Sequence, residues 1–300
     1  MQIQWYPGHM HKAKKQIAAT LPKVDLIIEI LDARIPFSSE NPMLASLRRN
    51  KQCIKILNKN DLADPAITQL WQTYLEQQRG VKTLALSATE PEKIRRLPDL
   101  CHKMAAAKRR SVKDIQAMII GIPNVGKSTL INTLVGKTIA QTGNEPAVTR
   151  AQQRIALPNG ITLLDTPGLL WPNLENKNSG YRLAAVGSIK DTALDHSDVA
   201  FFAAAYLLQA YPENLRTRYA IEEFPASELE LLESVGAKRG CLRAGGQVDL
   251  NKVSKLLLNE LRSSALGRVS LETPAMMEKE LVELASIRKK KAEAQKKKKG

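Results

Sequence analysis

Eight residues carry the plainest chemistry in the chain: Gly121-Ile-Pro-Asn-Val-Gly-Lys-Ser128. They fit G-x-x-x-x-G-K-[ST], the pattern of a phosphate-binding loop. In such a loop, Pro123, Asn124, Val125 and Gly126 form the turn, and Lys127, Ser128 and Thr129 open a helix. Backbone N–H groups and the positive end of the helix dipole then face the phosphates. Lys127 reaches the β- and γ-phosphates, and the Ser128 hydroxyl ligates Mg²⁺. Two further motifs suit the same task. Asp165-Thr-Pro-Gly168 fits D-x-x-G, in which the aspartate holds Mg²⁺ through water and the Gly168 N–H senses the γ-phosphate. Asn58-Lys59-Asn60-Asp61 fits N-K-x-D, in which a carboxylate accepts two hydrogen bonds from guanine N1 and N2. Adenine offers no such donor pair, so the motif selects GTP and GDP over adenine nucleotides. Ser87-Ala88 would back guanine O6 with a backbone N–H.

These motifs need strand ends to sit on, and the sequence supplies them. The apolar runs Val24 to Leu31, Cys53 to Leu57, Val81 to Leu86 and Ala117 to Ile120 read as buried strands, each running into a motif or a polar turn. Leu130, Ile131, Leu134 and Val135 have helical spacing after the loop. Helices are expected from Asn41 to Arg49, from Pro65 to Gln78 and from Ile94 to Arg110, and a hairpin around Pro158-Asn-Gly160 delivers Asp165. Strands alternating with helices predict an α/β fold with a mainly parallel sheet and ligands at the strands' C-terminal ends. After Trp171-Pro the composition shifts. Helices are expected over Gly180 to Ile189, Asp198 to Ala210, Pro225 to Val235 and Asp249 to Leu266.

The motif order is unusual. The usual nucleotide-binding domain of this type has its phosphate loop first, then D-x-x-G, then N-K-x-D. Here N-K-x-D and S-A precede the phosphate loop and D-x-x-G comes last, so the chain reads as a circularly permuted GTPase domain over 1–175. A smaller all-helical domain over 176–285 and a basic tail over 286–300 follow. The segment after Gly168 leads straight into the helices, so switch movement on GTP hydrolysis could pull on them.

Composition narrows the partners. The chain of 300 residues carries a net charge of +15. Eight lysines and arginines against Glu293 occupy its last thirteen residues. This points to a polyanion, and aromatics at 4% of residues are too few for extensive base stacking. Recognition of rRNA by shape and phosphate, with counterion release on the tail, is the expectation; DNA is not expected. The tail is too polar to fold alone and is expected to stay disordered or to become helical on contact. Ala237-Lys-Arg-Gly240 and Arg243 are candidate phosphate contacts. Cys53, Cys101 and Cys241 have no metal-ligand spacing and read as reduced thiols. The N-terminus lacks a secretory signal, and the longest apolar run, Val199 to Leu208, is about half a membrane span. A soluble, cytoplasmic, monomeric protein with no membrane partner is expected.

Trp5-Tyr-Pro-Gly-His-Met10, Asp32-Ala-Arg-Ile-Pro36, the permuted order and Gly180-Tyr-Arg-Leu-Ala184 resemble the ribosome-biogenesis GTPase A (RbgA/YlqF-type) family over nearly the whole chain. The resemblance implies an enzyme that binds the immature large ribosomal subunit and hydrolyses GTP late in its assembly, stimulated by that particle. Many GTPases place a water-positioning Gln directly after D-x-x-G, where this chain has Leu169, so the catalytic group lies elsewhere. By resemblance it is His9; the alternative role for His9 is packing or RNA contact. His11, His102 and His196 read as solvated or structural. Resemblance to potassium-activated GTPases implies that Asn124 helps hold K⁺, which would neutralise charge as an arginine finger does. Thr149 is the expected switch threonine for Mg²⁺ and the γ-phosphate, in a loop where the family more often has glycine and this chain has Ala147. Two other readings stay open: a GTP-regulated RNA-binding switch with negligible hydrolysis, and a GTPase serving tRNA or the small subunit.

Overall fold

In a computed structural model, residues 15–42, 47–48, 51–106, 114–137, 153–170, 176–193 and 195–297 are described. His9, His11, Thr149 and Ala147 lie outside them, as does most of the helix expected from Asn41 to Arg49. Just before that stretch, Pro36–Ser39 forms a single helical turn.

Six strands build one sheet in the order β3-β2-β1-β4-β6-β5. They are β1 (Leu26–Asp32), β2 (Gln52–Asn58), β3 (Val81–Ala85), β4 (Ile115–Gly121), β5 (Gln153–Leu157) and β6 (Ile161–Asp165). All are parallel except β5, which pairs antiparallel with β6. The sequence explains the placing. Leu-Ile-Ile-Glu-Ile-Leu-Asp of β1 is buried at every residue, as a central parallel strand covered on both faces must be. Gln153, Arg154 and Ala156 of β5 are exposed while Ile155 and Leu157 are buried, which suits an edge. Buried charge on the neighbouring strands β1 and β2 is paired: Lys55 of β2 lies 2.5 Å from Glu40 and 3.7 Å from Glu29 of β1.

The helices α1 (Pro65–Glu76), α2 (Arg96–Ala106) and α3 (Lys127–Val135) cover the sheet. Asp64 caps α1 by accepting from the N–H groups of Ala66 and Ile67. Parallel strands joined by helices put every β-to-α loop on one edge. The turns after β1, β2, β3, β4 and β6 therefore meet there, as the motif reading required.

Beyond residue 176 the chain is helical: α4 (Lys177–Ala185), α5 (His196–Ala210), α6 (Pro212–Tyr219), α7 (Glu228–Lys238), α8 (Leu250–Arg262) and α9 (Pro274–Lys297). Asn176, Asp195, Ser227 and Asp249 cap four of them. Val199, Ala203 and Leu207 of α5 pack with Leu232 and Val235 of α7 and Val253, Leu257 and Leu261 of α8. That core is continuous with the core of the sheet, so the change of architecture near 176 is not a break in packing. Residues 268–277 even return to the sheet half. There Met277 is buried with Leu31, Ala33, Leu57, Ala63, Trp71 and Leu75.

Two sequence expectations change. The basic tail, expected to be disordered or to become helical on contact, is helical as far as Lys297 in the isolated chain. Its Ala, Glu, Gln and Lys residues are strong helix formers, and they extend a helix already nucleated by the buried Met277. The cations of 237–243 are largely engaged within the protein. Lys238 Nζ donates to the Tyr219 and Ala220 carbonyls at the end of α6, Arg239 lies 3.7 Å from Glu260 and Arg243 lies 3.5 Å from Asp249.

Candidate nucleotide site

The phosphate loop leaves β4 at Gly121 and enters α3 at Lys127. Two residues in it have left-handed backbone, Asn124 (φ 57°) and Gly126 (φ 98°). Successive N–H groups in such a turn converge on one point, which makes an anion nest. A side chain at Gly126 would collide with the Asn58 amide, so this position must be glycine for the loops to approach.

Asn58 is the residue that joins three motifs. Its Nδ2 donates to the Val125 carbonyl at 2.6 Å and its Oδ1 accepts from the Ala88 N–H at 2.8 Å. At 1% exposed, the amide needs both partners. The Ser87-Ala88 turn, expected to offer guanine O6 a backbone N–H, gives the N–H of Ala88 to Asn58. Asn58 thus sets the spacing of the loops. Next to it, Lys59 adopts a left-handed backbone (φ 60°) and its Nζ donates to the Asn124 carbonyl at 2.8 Å. The same Nζ lies 3.2 Å from Asp32. Asp61 is exposed, as a carboxylate reading a base must be. Ser87 is buried and shares a hydrogen bond with Thr89.

No local pattern assigns a role to the Asp32–Arg34 pair that supports Lys59. Arg34 Nε and Nη2 donate to Asp32 at 2.9 and 2.8 Å. Burial alone would raise the Asp32 carboxyl, but the Arg34 and Lys59 charges outweigh it and hold the group well below the carboxylate range. The available signal was two opposite charges at the end of an apolar strand.

Lys127 and Asp165 face a different balance. Lys127 is buried, and its Nζ donates to the Gly121 and Ile122 carbonyls at 3.2 and 2.9 Å. Burial pushes it down to about 8, and Asp165 opposes that only in part. Asp165 is 1% exposed and, among the described residues, neither carboxylate oxygen has a hydrogen-bond partner. Burial pushes its carboxyl up to about 6 against the pull of Lys127. A buried carboxylate with two orphaned oxygens fits a metal cation, and a buried ammonium held only by carbonyls fits a polyanion. The donor set therefore suits Mg²⁺ and a nucleotide phosphate together.

The D-x-x-G turn is fixed against the phosphate loop. Thr166 Oγ1 donates to the Ile119 carbonyl at 2.8 Å, and the Leu169 N–H donates to the Gly121 carbonyl at 3.2 Å. A Cβ on Gly168 would lie 3.0 Å from Pro123 backbone atoms and 3.2 Å from Lys127 Nζ. Leu169 is buried in the core, which takes it out of reach of an attacking water. The Asn124 Nδ2 donates to the Gly187 carbonyl at 2.9 Å, just after α4, so the phosphate loop also touches the helical half. Ser128 and Thr129, half-buried at the start of α3, complete the described part of the site. The other described histidines stand apart: His102 bonds the Asn159 carbonyl and His196 lies 3.7 Å from Asp191. Among the described residues no cluster of three or more His, Cys, Asp or Glu could hold a metal, and no helix is long and apolar enough to cross a membrane.

Comparison with known proteins agrees with this geometry. Residues 116–222 match the family model described as 50S ribosome-binding GTPase. That stretch begins at β4 and excludes Asn58–Asp61, which the permuted order puts earlier. Ribosome biogenesis GTPase A of Priestia megaterium is 45% identical over 94% of this chain and 100% of its own length. Mitochondrial ribosome-associated GTPase 1 of Mus musculus is 37% identical over 90% of each. The crystal structure of GNP-bound YlqF from T. maritima superposes with a TM-score of 0.62, at 30% identity, covering 88% of this chain and 98% of that one.

Proposed function

Because the chain belongs to the ribosome biogenesis GTPase A family, we propose that its GTP hydrolysis licenses a late step in assembly of the large ribosomal subunit. The observation that carries the reading is the assembly of N-K-x-D, S-A and the phosphate loop around Asn58, beside the buried Lys127 and an Asp165 carboxylate without a hydrogen-bond partner among the described residues. The partner is the immature subunit, held through rRNA phosphates. The net charge of +15, nearly half of it in the last thirteen residues, supports that partner. The protein acts as a monomer in the cytoplasm, with residues 1–175 handling the nucleotide and the helices after 176 engaging the particle.

In hydrolysis, water attacks the γ-phosphorus and the bond to the β-phosphate oxygen breaks, leaving GDP and phosphate. Asp61 and the Ser87-Ala88 turn fix the guanine end. Lys127 offsets negative charge on the β- and γ-phosphate oxygens, where its low-dielectric setting strengthens the attraction. The Gly168 N–H donates to the γ-phosphate. Ser128, Thr149 and Asp165 would hold Mg²⁺, which supplies further charge neutralisation. Asn124 would hold K⁺ through its amide oxygen, since its Nδ2 already donates to Gly187. His9 orients the attacking water, a role that the buried Leu169 leaves open.

The test is GTP turnover of the full chain with and without purified large subunits, in KCl and in NaCl, for the wild type and His9→Ala. Turnover stimulated by large subunits in KCl, and lost in His9→Ala, is expected. No stimulation by large subunits overturns the ribosomal reading. Equal rates in the two salts overturn the potassium site, and an unaffected His9→Ala overturns the histidine.

A further inference from the structure

After α8 the chain crosses back onto the sheet edge where the guanine loop lies. Arg268 Nε donates to the Ala63 carbonyl at 2.9 Å and its Nη2 to the Asn60 carbonyl at 2.6 Å, so one guanidinium brackets Asp61. The Val269 N–H donates to the Leu62 carbonyl between them at 3.0 Å. Ser270 Oγ accepts from the Asp64 N–H at 3.2 Å. The Tyr211 hydroxyl, from the helical half, donates to Asp64 Oδ2 at 3.2 Å and accepts from the Ser270 N–H at 3.0 Å. Four backbone polar groups of the loop from Asn60 to Asp64 are thus bound by residues about 200 positions away in the chain.

The loop needs such a restraint. Lys59 stands in left-handed backbone, a conformation that a long side chain adopts only when its surroundings hold it. Asp61, the residue that reads the base, is exposed. The influence of Arg268 extends to the other guanine loop. Glu90, two residues past Ala88, is held below its ordinary value first by its hydrogen bond from Lys93, and the positive charge of Arg268 adds to this.

We propose that Arg268 is a positioning residue for guanine recognition, so that the segment after α8 sets the preference of the nucleotide site for guanine. The inference rests on the reading of Asp61 as the acceptor for guanine N1 and N2. Two hydrogen bonds from one planar guanidinium fix the carbonyls on either side of Asp61 in position and direction. The carboxylate then meets both guanine donors together. Without that brace Asp61 keeps its charge but loses its aim, and the contact with the exocyclic amine at N2 weakens.

The test compares GTP with inosine triphosphate, which lacks that amine, by equilibrium competition on the full chain. Wild type, Arg268→Ala, Arg268→Lys and Asp61→Asn are measured side by side. Wild type is expected to prefer GTP, and Arg268→Ala to lose about tenfold of that preference, the order expected when a charge-assisted hydrogen bond is weakened. Arg268→Lys, which keeps the charge and can serve only one carbonyl well, should fall between. The preference is a ratio measured on a single preparation, so a partly unfolded variant does not distort it. An unchanged ratio in Arg268→Ala, even with both affinities reduced equally, would mean that Arg268 only ties the chain down, and the inference fails. A wild type with no preference for GTP, unaffected by Asp61→Asn, would instead overturn the guanine reading beneath it.

Discussion

Replacing Asn58 with alanine separates a residue that holds loops together from one that only touches nucleotide. The substitution strands two buried groups, the Val125 carbonyl and the Ala88 N–H, which Asn58 bonds at 2.6 and 2.8 Å. Each orphaned group costs about 1–3 kcal/mol. The space vacated by the amide lies against Gly126, where one water can enter and recover part of the loss. A net cost of about 2–3 kcal/mol follows, which lowers the melting midpoint of a chain this long by about 3–5 °C. The assay is a thermal melt of nucleotide-free protein, paired with GDP affinity from a fluorescent analogue. Both readouts should fall together. An unchanged melt with a large loss of GDP affinity would refute the reasoning, because Asn58 would then act on the nucleotide alone.

Asp165→Asn tests the unmet charge in the site. With its carboxyl pushed up to about 6 from an ordinary 3.8, Asp165 keeps a proton in the folded chain that the unfolded chain has released. Stability from this group is therefore greatest below that window, falls as pH rises through it, and stays about 2–3 kcal/mol lower above it. The asparagine variant, without nucleotide or metal, should be more stable in urea at neutral pH by that amount, with a flatter profile between about pH 4 and 6, and should lose GTP turnover. Glu272→Ala should cost about 3–5 kcal/mol in urea unfolding, since it removes one of the two carboxylates beside buried Arg182 and the acceptor of the Phe37 and Ser38 N–H groups. Gly168→Ala pushes a methyl against Pro123 backbone atoms 3.0 Å away and should reduce GTP turnover by about tenfold or more, as a displaced phosphate loop would. Wild-type turnover in that variant would show that the turn has room to yield.

The strand ends carrying the motifs were legible because local patterns mark them. Continuous apolar runs gave β1, β2 and β4, and the glycines and lysine of the phosphate loop specify a turn whose chemistry lies mostly in its own backbone. Helix limits in the second half were less legible. α6 went unnoticed because eight residues dominated by charge and tyrosine show no apolar periodicity. α9 went unnoticed because Met277 is its only fully buried apolar anchor among the described side chains. Arg182 shows the same limit. It was read as part of a family motif, and its burial between Glu272 and Glu280 depends on residues about 90 positions later.

The sequence by itself determined the parallel sheet, the permuted order and the motifs proposed to bind a guanine nucleotide. Each of these follows from short-range pattern and from the geometry that a turn or strand imposes on its neighbours. Only the tertiary structure decided that Asn58 gives its amide to Val125 and Ala88, that Asp32 and Arg34 brace Lys59, and that Arg268 brackets Asp61. Those choices depend on which buried donors and acceptors are left unpaired once the sheet and helices have packed. A chain does not reveal that remainder until its distant parts are in contact.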